Sequence, residues 1–460
     1  MAGNSPAEIT ARIDRLPACW TVWRLVVFLS LGAFFEMYDL FQTAYVSPGL
    51  ISSGIFRVGA KGLFGLTDQA TFAAATFAGL FAGSILFGSI ADKFGRRTVF
   101  TWSMLWYTVA NVSMGLQHTS VGVDIWRFIS GLGIGVEIVT IDAYISEFAP
   151  RRIRGRAFAL NQCVQFLAIP TVAMASWFFI PRAPLGVSGW RWVVILGALG
   201  AIAVWIIRRG IPESPRWLAQ QHRLQEAGDA IAQIEARVER ETARPLSEPI
   251  VGPAEMPGAG KFAEIWEAPY GSRTLMLIVF NFFQTIAFYG FGNWVPALMA
   301  SQGANFTNSL QYSAIVALMY PIGPLLFMLF ADRFERKWQI VAAAMGTATF
   351  GLLFARQSGT SALIGFGMLV TLSNNLLSYS YHAYQAELYP TRIRARAIGF
   401  VYSWSRLSTM FTSFMIAFFL ERFGTPGVFA FIAASMLMVI LSVGIFGPRT
   451  NNLSLEEISH

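Results

Sequence analysis

YISEFAPRRIRGRA, running from Tyr144 to Ala157, returns as YQAELYPTRIRARA from Tyr384 to Ala397. A second stretch, Ala91-Asp92-Lys93-Phe94-Gly95-Arg96-Arg97, returns as Ala331-Asp332-Arg333-Phe334-Glu335-Arg336-Lys337. Both repeats share one offset: Glu387 stands 240 positions after Glu147, and Asp332 stands 240 after Asp92. Two independent motifs in one register indicate a duplicated chain. Each motif is a short basic stretch between long apolar runs, so the repeated unit is a set of apolar segments joined by polar loops.

Composition says where those segments reside. The chain has 460 residues, 55% of them hydrophobic and 13% charged. A soluble domain carries about 25% charged residues, and a soluble fold could not hide this much apolar surface. Counting runs of about 20 mainly apolar residues gives twelve expected spans: 22–46, 69–91, 98–117, 123–146, 157–180, 191–208, 273–299, 309–331, 337–356, 361–386, 397–420 and 426–446. The expected fold is an all-α membrane protein of two six-helix bundles. Its parts are an N-terminal half (1–208), a linker (209–272), a C-terminal half (273–446) and a tail (447–460). Leu224 to Glu241 reads as an amphipathic helix and Pro245 to Gly260 as a flexible stretch. Parallel six-span halves are a recurrent plan of secondary carriers, with the substrate site near the midplane.

Charge sets the orientation. The net charge is +8, yet the basic residues fall in the loops of one side. They include Lys93, Arg96 and Arg97, the run Arg151 to Arg156, the linker, Arg336 and Lys337, and Arg392 to Arg396. Such loops stay cytoplasmic, which places both termini there, in a multi-pass protein of the inner membrane. The positive charge is therefore topological, in contact with lipid headgroups rather than nucleic acid. Met1 to Ala18 is polar and mixed in charge, unlike a cleavable signal peptide. Cys19 and Cys163 lie too far apart in this plan for a disulfide framework.

Three motifs together resemble the major facilitator superfamily over almost the whole chain. Gly88 to Arg97 is similar to its loop between spans two and three. Arg127-Phe128-Ile129-Ser130-Gly131-Leu132-Gly133-Ile134-Gly135 is similar to its fourth-span motif. Pro212-Glu213-Ser214-Pro215-Arg216-Trp217-Leu218 resembles a sugar-porter signature. Phe288 to Pro296, the stretch from Glu387 to Arg394, and Tyr402-Ser403-Trp404-Ser405-Arg406 resemble the niacin, metabolite and organic-ion branch. The second loop copy departs from the pattern, with Glu335 where glycine is usual.

The loop charges read as a gate. Asp92, Arg96, Arg97, Glu147 and Arg156 gather at the cytoplasmic ends of the first half, and Asp332, Arg336, Glu387 and Arg396 are their counterparts. Ion pairs at helix ends can latch one conformation and release as the halves rock. The plainer reading is static surface pairs worth about 0–1 kcal/mol each. Gly79 and Gly83 form a Gly-x-x-x-Gly pair in span two, and Gly131, Gly133 and Gly135 line span four; such small residues permit close helix approach. Pro170, Pro321 and Pro324 can kink their spans.

Charges inside spans are costly and are functional candidates by default. Span one holds Glu36 and Asp39 on one face; span four holds Arg127, Glu137 and Asp142. The family resemblance implies that a first-span Asp carries the proton beside a fourth-span Arg. The reading is therefore Asp39 with Arg127 as partner, and Glu36 or Glu137 as rival carboxylates. A permanent interhelical ion pair is the alternative. Arg406 in span eleven bears on the cargo. A guanidinium matches a carboxylate bidentately and keeps its charge, so in a cavity it favours an organic anion, unless an acid of span one or four neutralises it. Gln162, Gln165, Gln284, Tyr289, Asn293, Tyr379 and Trp404 are the other expected substrate contacts, with Gln284 and Tyr289 foremost. Asn281, Trp294, Asn374, Asn375 and His382 are further polar residues in apolar spans, each fitting an interhelical bond as well as a ligand contact.

The function class follows. The expectation is a monomeric secondary transporter that moves a small organic acid, aromatic or nicotinate-like, by proton symport across the lipid bilayer. A proton-coupled sugar or polyol carrier, an exporter of amphipathic cations, and a non-transporting receptor are the alternatives. No phosphate-cradling loop, HExxH or Ser-His-Asp pattern points to an enzyme, a metal or a cofactor, and the lack of an ATP motif points to an ion gradient as driving force.

Overall fold

The computed structural model describes residues 5–57, 67–87, 90–200, 202, 211–250, 262–328, 334–389 and 391–450. Among them the regular elements are helical. A short helix α1 (Pro6–Asp14) starts the chain. Ser5 caps it, its hydroxyl accepting the Glu8 N–H at 3.1 Å, and Pro6 occupies the first turn where no N–H is needed.

The first half then runs through α2 (Trp20–Ser52), α3 (Asp68–Phe87), the five-residue α4 (Ile90–Phe94), α5 (Arg96–Gly115), α6 (Ser120–Phe148), α7 (Arg154–Phe179) and α8 (Gly189–Ala198). The linker supplies α9 (Pro215–Gln220) and α10 (Leu224–Thr242), so the expected amphipathic piece is a helix. Ser214 caps α9 by accepting the Trp217 N–H at 3.2 Å. The second half runs through α11 (Tyr270–Gly292), α12 (Val295–Ser301), α13 (Phe306–Ala317), α14 (Met319–Met328), α15 (Arg336–Phe354), α16 (Thr360–Glu387) and α17 (Thr391–Phe446). Among the described residues, helices fall on each of the twelve expected spans.

Three expected spans are shaped differently from an unbroken rod. The stretch 273–299 is two helices, because Pro296 starts α12 and cannot donate into a helix continuing from α11. The stretch 309–331 breaks at Leu318: the Pro321 ring would meet the carbonyl four residues back, at Ala317. Spans eleven and twelve form one long element, interrupted where Gly424 takes φ +64°, ψ −167°. Only glycine adopts that conformation readily.

Buried apolar side chains gather in two large clusters, one drawn mainly from α1–α10 and one mainly from α11–α17. Between the clusters, α3 packs on α17, and α7 packs on α13 and α14. The first cluster reaches across through Leu310, Ala314, Ala317 and Tyr320. Many large apolar side chains, such as Trp102, Leu86 and Ile445, point outward and suit lipid.

Small residues set the tightest contact. A β-carbon on Gly79 would lie 2.2 Å from the Phe128 carbonyl oxygen, and one on Gly83 would lie 2.2 Å from that of Leu132. Gly131 and Gly135 return the contact against Thr76 and Leu80. The backbones of α3 and α6 therefore touch, as the Gly-x-x-x-Gly spacing predicts.

Candidate functional site: a central cavity and a buried ion pair

The duplication reappears in the loop contacts. Arg96 Nε lies 3.1 Å from Glu147 Oε1, and its counterpart Arg336 pairs with Glu387. Tyr144 donates its hydroxyl to the Pro212 carbonyl at 2.6 Å, and its counterpart Tyr384 donates to the Pro448 carbonyl at 2.8 Å. Each half thus ties the end of its fourth span to the chain leaving its sixth.

Where the copies differ, the reason is steric. Gly95 has φ +97°, and a β-carbon there would lie 2.5 Å from Glu213 Oε2. Glu213 fills that space and accepts the Arg97 N–H at 3.0 Å. In the second copy Glu335 has an ordinary φ of −57°, and its own carboxylate accepts the Thr450 N–H at 2.8 Å. Arg156 and Arg396 are exposed. Asp332 and the Asp92 and Asp142 side chains lie outside the described residues.

A cavity of about 620 Å³ lies between the halves. From the first half α2 contributes Glu36, Met37 and Leu40, and α7 contributes Phe158, Asn161, Gln162, Gln165 and Phe166. From the second half come Gln284, Thr285, Phe288 and Tyr289 of α11, Ser378, Tyr381, His382 and Gln385 of α16, and Tyr402 and Arg406 of α17. Gly155, in the first turn of α7, and Ile398, about two turns into α17, also line it. The cavity therefore reaches the side that carries the linker.

Aromatic rings close the opposite end. Phe77 and Tyr289 lie 5.1 Å apart between ring centroids, Phe41 and Tyr320 lie 5.6 Å apart, and Phe166 and Tyr320 lie 5.9 Å apart. These rings come from both halves, so they plug the interface as well as fill it.

Arg406 sits on the cavity wall with 8% of its surface exposed. Its guanidinium lies 4.8 Å above the Tyr402 ring, and Nη2 donates to the Tyr402 hydroxyl at 3.3 Å. Among the described residues, no carboxylate forms an ion pair with it. A charged fork held by phenols can accept an anionic ligand without first breaking a protein ion pair.

Behind α2 lies a second polar site. Asp39 Oδ1 pairs with Arg127 Nη1 at 2.8 Å and accepts Asn111 Nδ2 at 2.7 Å. It also accepts Gln42 Nε2, and Asp39 Oδ2 accepts the Ser130 hydroxyl at 2.8 Å. Arg127 spends its other donors on Thr43, Thr76 and the Asp39 carbonyl. The sequence expectation of an Asp39–Arg127 partnership thus meets a fully buried, fully bonded pair. Glu137 lies apart from it, wholly buried on α6, close to Gly32 of α2.

Of the expected cargo contacts, Gln162, Gln165, Gln284, Tyr289 and Arg406 line the cavity. Asn293, Tyr379 and Trp404 are not brought to it. Asn293 is buried just beyond the end of α11, and Tyr379 and Trp404 are not among the residues that line the cavity. Asn374 and Asn375 make interhelical bonds, to Thr347 at 3.2 Å and to the Met319 carbonyl at 2.9 Å. Asn161, Phe288, Tyr381, Gln385 and Tyr402 line the cavity and were not expected there. Helical spacing carried a signal for them: Asn161 with Gln165, Tyr381 with Gln385, and Tyr402 with Arg406 are each four apart.

A cavity between duplicated six-helix halves is a carrier's architecture, and relatives bear this out. The family model "Sugar (and other) transporter" matches residues 25–460. The chain belongs to that family. This transporter is 32% identical over 444 residues to the "Putative metabolite transport protein YyaJ" of Bacillus subtilis (strain 168), covering 96% of this chain and 95% of that one. It is 26% identical to the "Niacin transporter NiaP" of Acinetobacter baylyi, covering 98% and 99% of the two chains. Its fold matches the E. coli xylose transporter XylE in a partially occluded inward-open conformation. The TM-score is 0.74 at 18% identity, with 95% of this chain and 100% of that chain covered. These relatives are carriers and not enzymes. The transporter is a multi-pass membrane protein of the major facilitator fold.

Proposed function

We propose that the transporter carries a small organic anion, aromatic or nicotinate-like, by proton symport through alternating access. The observation that supports this reading is Arg406: a permanent positive charge on the cavity wall, bonded to a phenol and to no acid among the described residues. The aromatic rings of Phe158, Phe288 and Tyr381 offer stacking surfaces for a flat ligand. The amides of Gln162, Gln165 and Gln284 supply donors and acceptors around it. The niacin transporter among the relatives supports the same class.

The coupling ion is the proton, carried by the buried acids of the first half: Asp39, Glu36 and Glu137. The basic loops make the linker side cytoplasmic, so the conformation described faces the cytoplasm. Arg96–Glu147 and Arg336–Glu387 each join helices of one half, so they brace that half as the halves rock and do not latch one half to the other.

Uptake of labelled nicotinate into proteoliposomes under an imposed pH gradient tests the reading. Gradient-driven accumulation that Arg406→Ala abolishes is the expected result. A second reading, a neutral sugar or polyol carrier, draws on the amide-rich wall and the family match. Sugar uptake that survives Arg406→Ala would replace the anion with a polyol.

A further inference from the structure

The charge on the cavity wall is not all of one sign. Among the lining residues, the side chains that can carry charge near neutral pH are Glu36, His382 and Arg406. Glu36 comes from α2 of the first half and Arg406 from α17 of the second. The two are close enough for their charges to interact, and Glu36 also acts on the Tyr289 hydroxyl. His382 belongs to the basic side: its ring centroid lies 4.1 Å from that of Tyr381, and Arg406 is the charge that acts on it.

Behind Glu36 lie further acids. Glu137 faces it from α6 beside the Tyr107 hydroxyl, and Asp39 is balanced by Arg127. Neither of these acids lines the cavity. The cavity is therefore polarised, with an acid on the wall from the first half and a base on the wall from the second.

That polarity bears on what can fill it. A plain anion gains Arg406 but stands near the Glu36 carboxylate, and like charges repel strongly where water is excluded. A plain cation meets the reverse problem. A ligand with a carboxylate at one end and a positive nitrogen at the other meets an opposite charge at each end, and the filled cavity stays neutral. The rings of Phe158, Phe288 and Tyr381 on the same wall suit such a ligand, because an aromatic face attracts a cation.

We infer that the preferred cargo is a small aromatic zwitterion, its carboxylate on Arg406 and its cationic nitrogen on Glu36, with Glu36 as the residue that sets this specificity. The inference rests on the anion reading above and narrows it to acids that also carry a positive charge. It gives Glu36 to the cargo and leaves the proton to Asp39 beside Arg127. A ligand held in this way touches both halves at once, so its binding favours the state in which the two walls lie closest.

Titration calorimetry on the full-length protein in lipid nanodiscs tests this with three probes. Benzoate carries only the carboxylate, N-methylnicotinamide only the cation, and N-methylnicotinate both. Wild type is expected to bind N-methylnicotinate roughly 10- to 100-fold tighter than benzoate. Glu36→Gln is expected to remove that preference, Glu36→Asp to keep part of it, and Arg406→Ala to weaken both carboxylates. Equal affinities for benzoate and N-methylnicotinate in wild type overturn the inference and leave the anion reading standing; this comparison needs no variant to fold. A preference that persists unchanged in Glu36→Gln overturns the role of Glu36. Tight binding of N-methylnicotinamide that Glu36→Gln abolishes, with no binding of benzoate or N-methylnicotinate, sinks the anion reading and the zwitterion with it. Wild type that binds none of the three overturns both.

Discussion

Asp39 and Arg127 face each other at 2.8 Å with side-chain exposures of 2% and 0%, the most enclosed ion pair among the described residues. Enclosure of that degree ties the stability of the first half to the pair. Removing one partner strands the other charge in the core, which costs about 3–5 kcal/mol. Asp39→Ala is therefore expected to lower the melting temperature strongly, measured by thermal unfolding of the purified protein. Asp39→Asn keeps most of the geometry and should cost less. Equal melting of wild type and Asp39→Ala would show that the network carries no stability.

Arg406 should behave in the opposite way, mattering for the ligand more than for the fold. A charge-assisted hydrogen bond is worth about 1.5–3 kcal/mol, so Arg406→Ala should weaken nicotinate binding by roughly 10- to 100-fold. Arg406→Lys keeps the charge but loses the planar fork, and should recover only part of the affinity. Titration calorimetry on the three proteins reads this, with circular dichroism to check that helix content is unchanged.

The contact between α3 and α6 leaves no space for a side chain. Gly83→Val is expected to destabilise the protein by about 1–3 kcal/mol, because a backbone carbonyl cannot move aside as a side chain can. Gly155→Ala is the control, since nothing lies within 4 Å of an added β-carbon there. Thermal melts in detergent compare them. Similar losses in both would remove the steric account.

At the linker side, α1 is held to α10 by one acid. Glu235 pairs with Arg12 and Arg15 at 2.5 and 2.6 Å. Burial pushes Glu235 up, but the hydrogen bonds from Arg12 and Arg15 outweigh it and hold the carboxyl below its ordinary value of 4.5. The sign follows from that direction. The tie contributes its full stability above pH 4.5 and loses it as the pH falls through the lower folded value. Hydrogen exchange over residues 5–16 should be slow at neutral pH and fast in strong acid, and fast at both in Glu235→Gln. Exchange in the variant that matches wild type at neutral pH would mean that other contacts dock α1.

Much of this molecule was legible before any coordinates. The offset between Glu147 and Glu387 identified two halves, and the structure matches it bond for bond in the Tyr144 and Tyr384 contacts. The spacing of Gly79 and Gly83 anticipated a touching pair of helices. Asp39 and Arg127 could be paired because an ion in a span needs a counter-ion. Helix breaks at Leu318 and Gly292 were only half legible: Pro321 and Pro296 mark them, but a proline can kink a span without ending it.

The sequence by itself determined the twelve spans, the duplication and the inventory of polar groups buried with them. Tertiary structure alone decided which of those groups meet. In a soluble helix an apolar stripe marks the inner face. In a membrane both faces are apolar, one against lipid and one against protein, so periodicity does not say how a span is rotated. That rotation put Arg406 on the cavity wall and left Trp404 off it. It also gave Asp39 four side-chain donors, while Glu137 faces the Tyr107 hydroxyl, although both are acids within apolar helices.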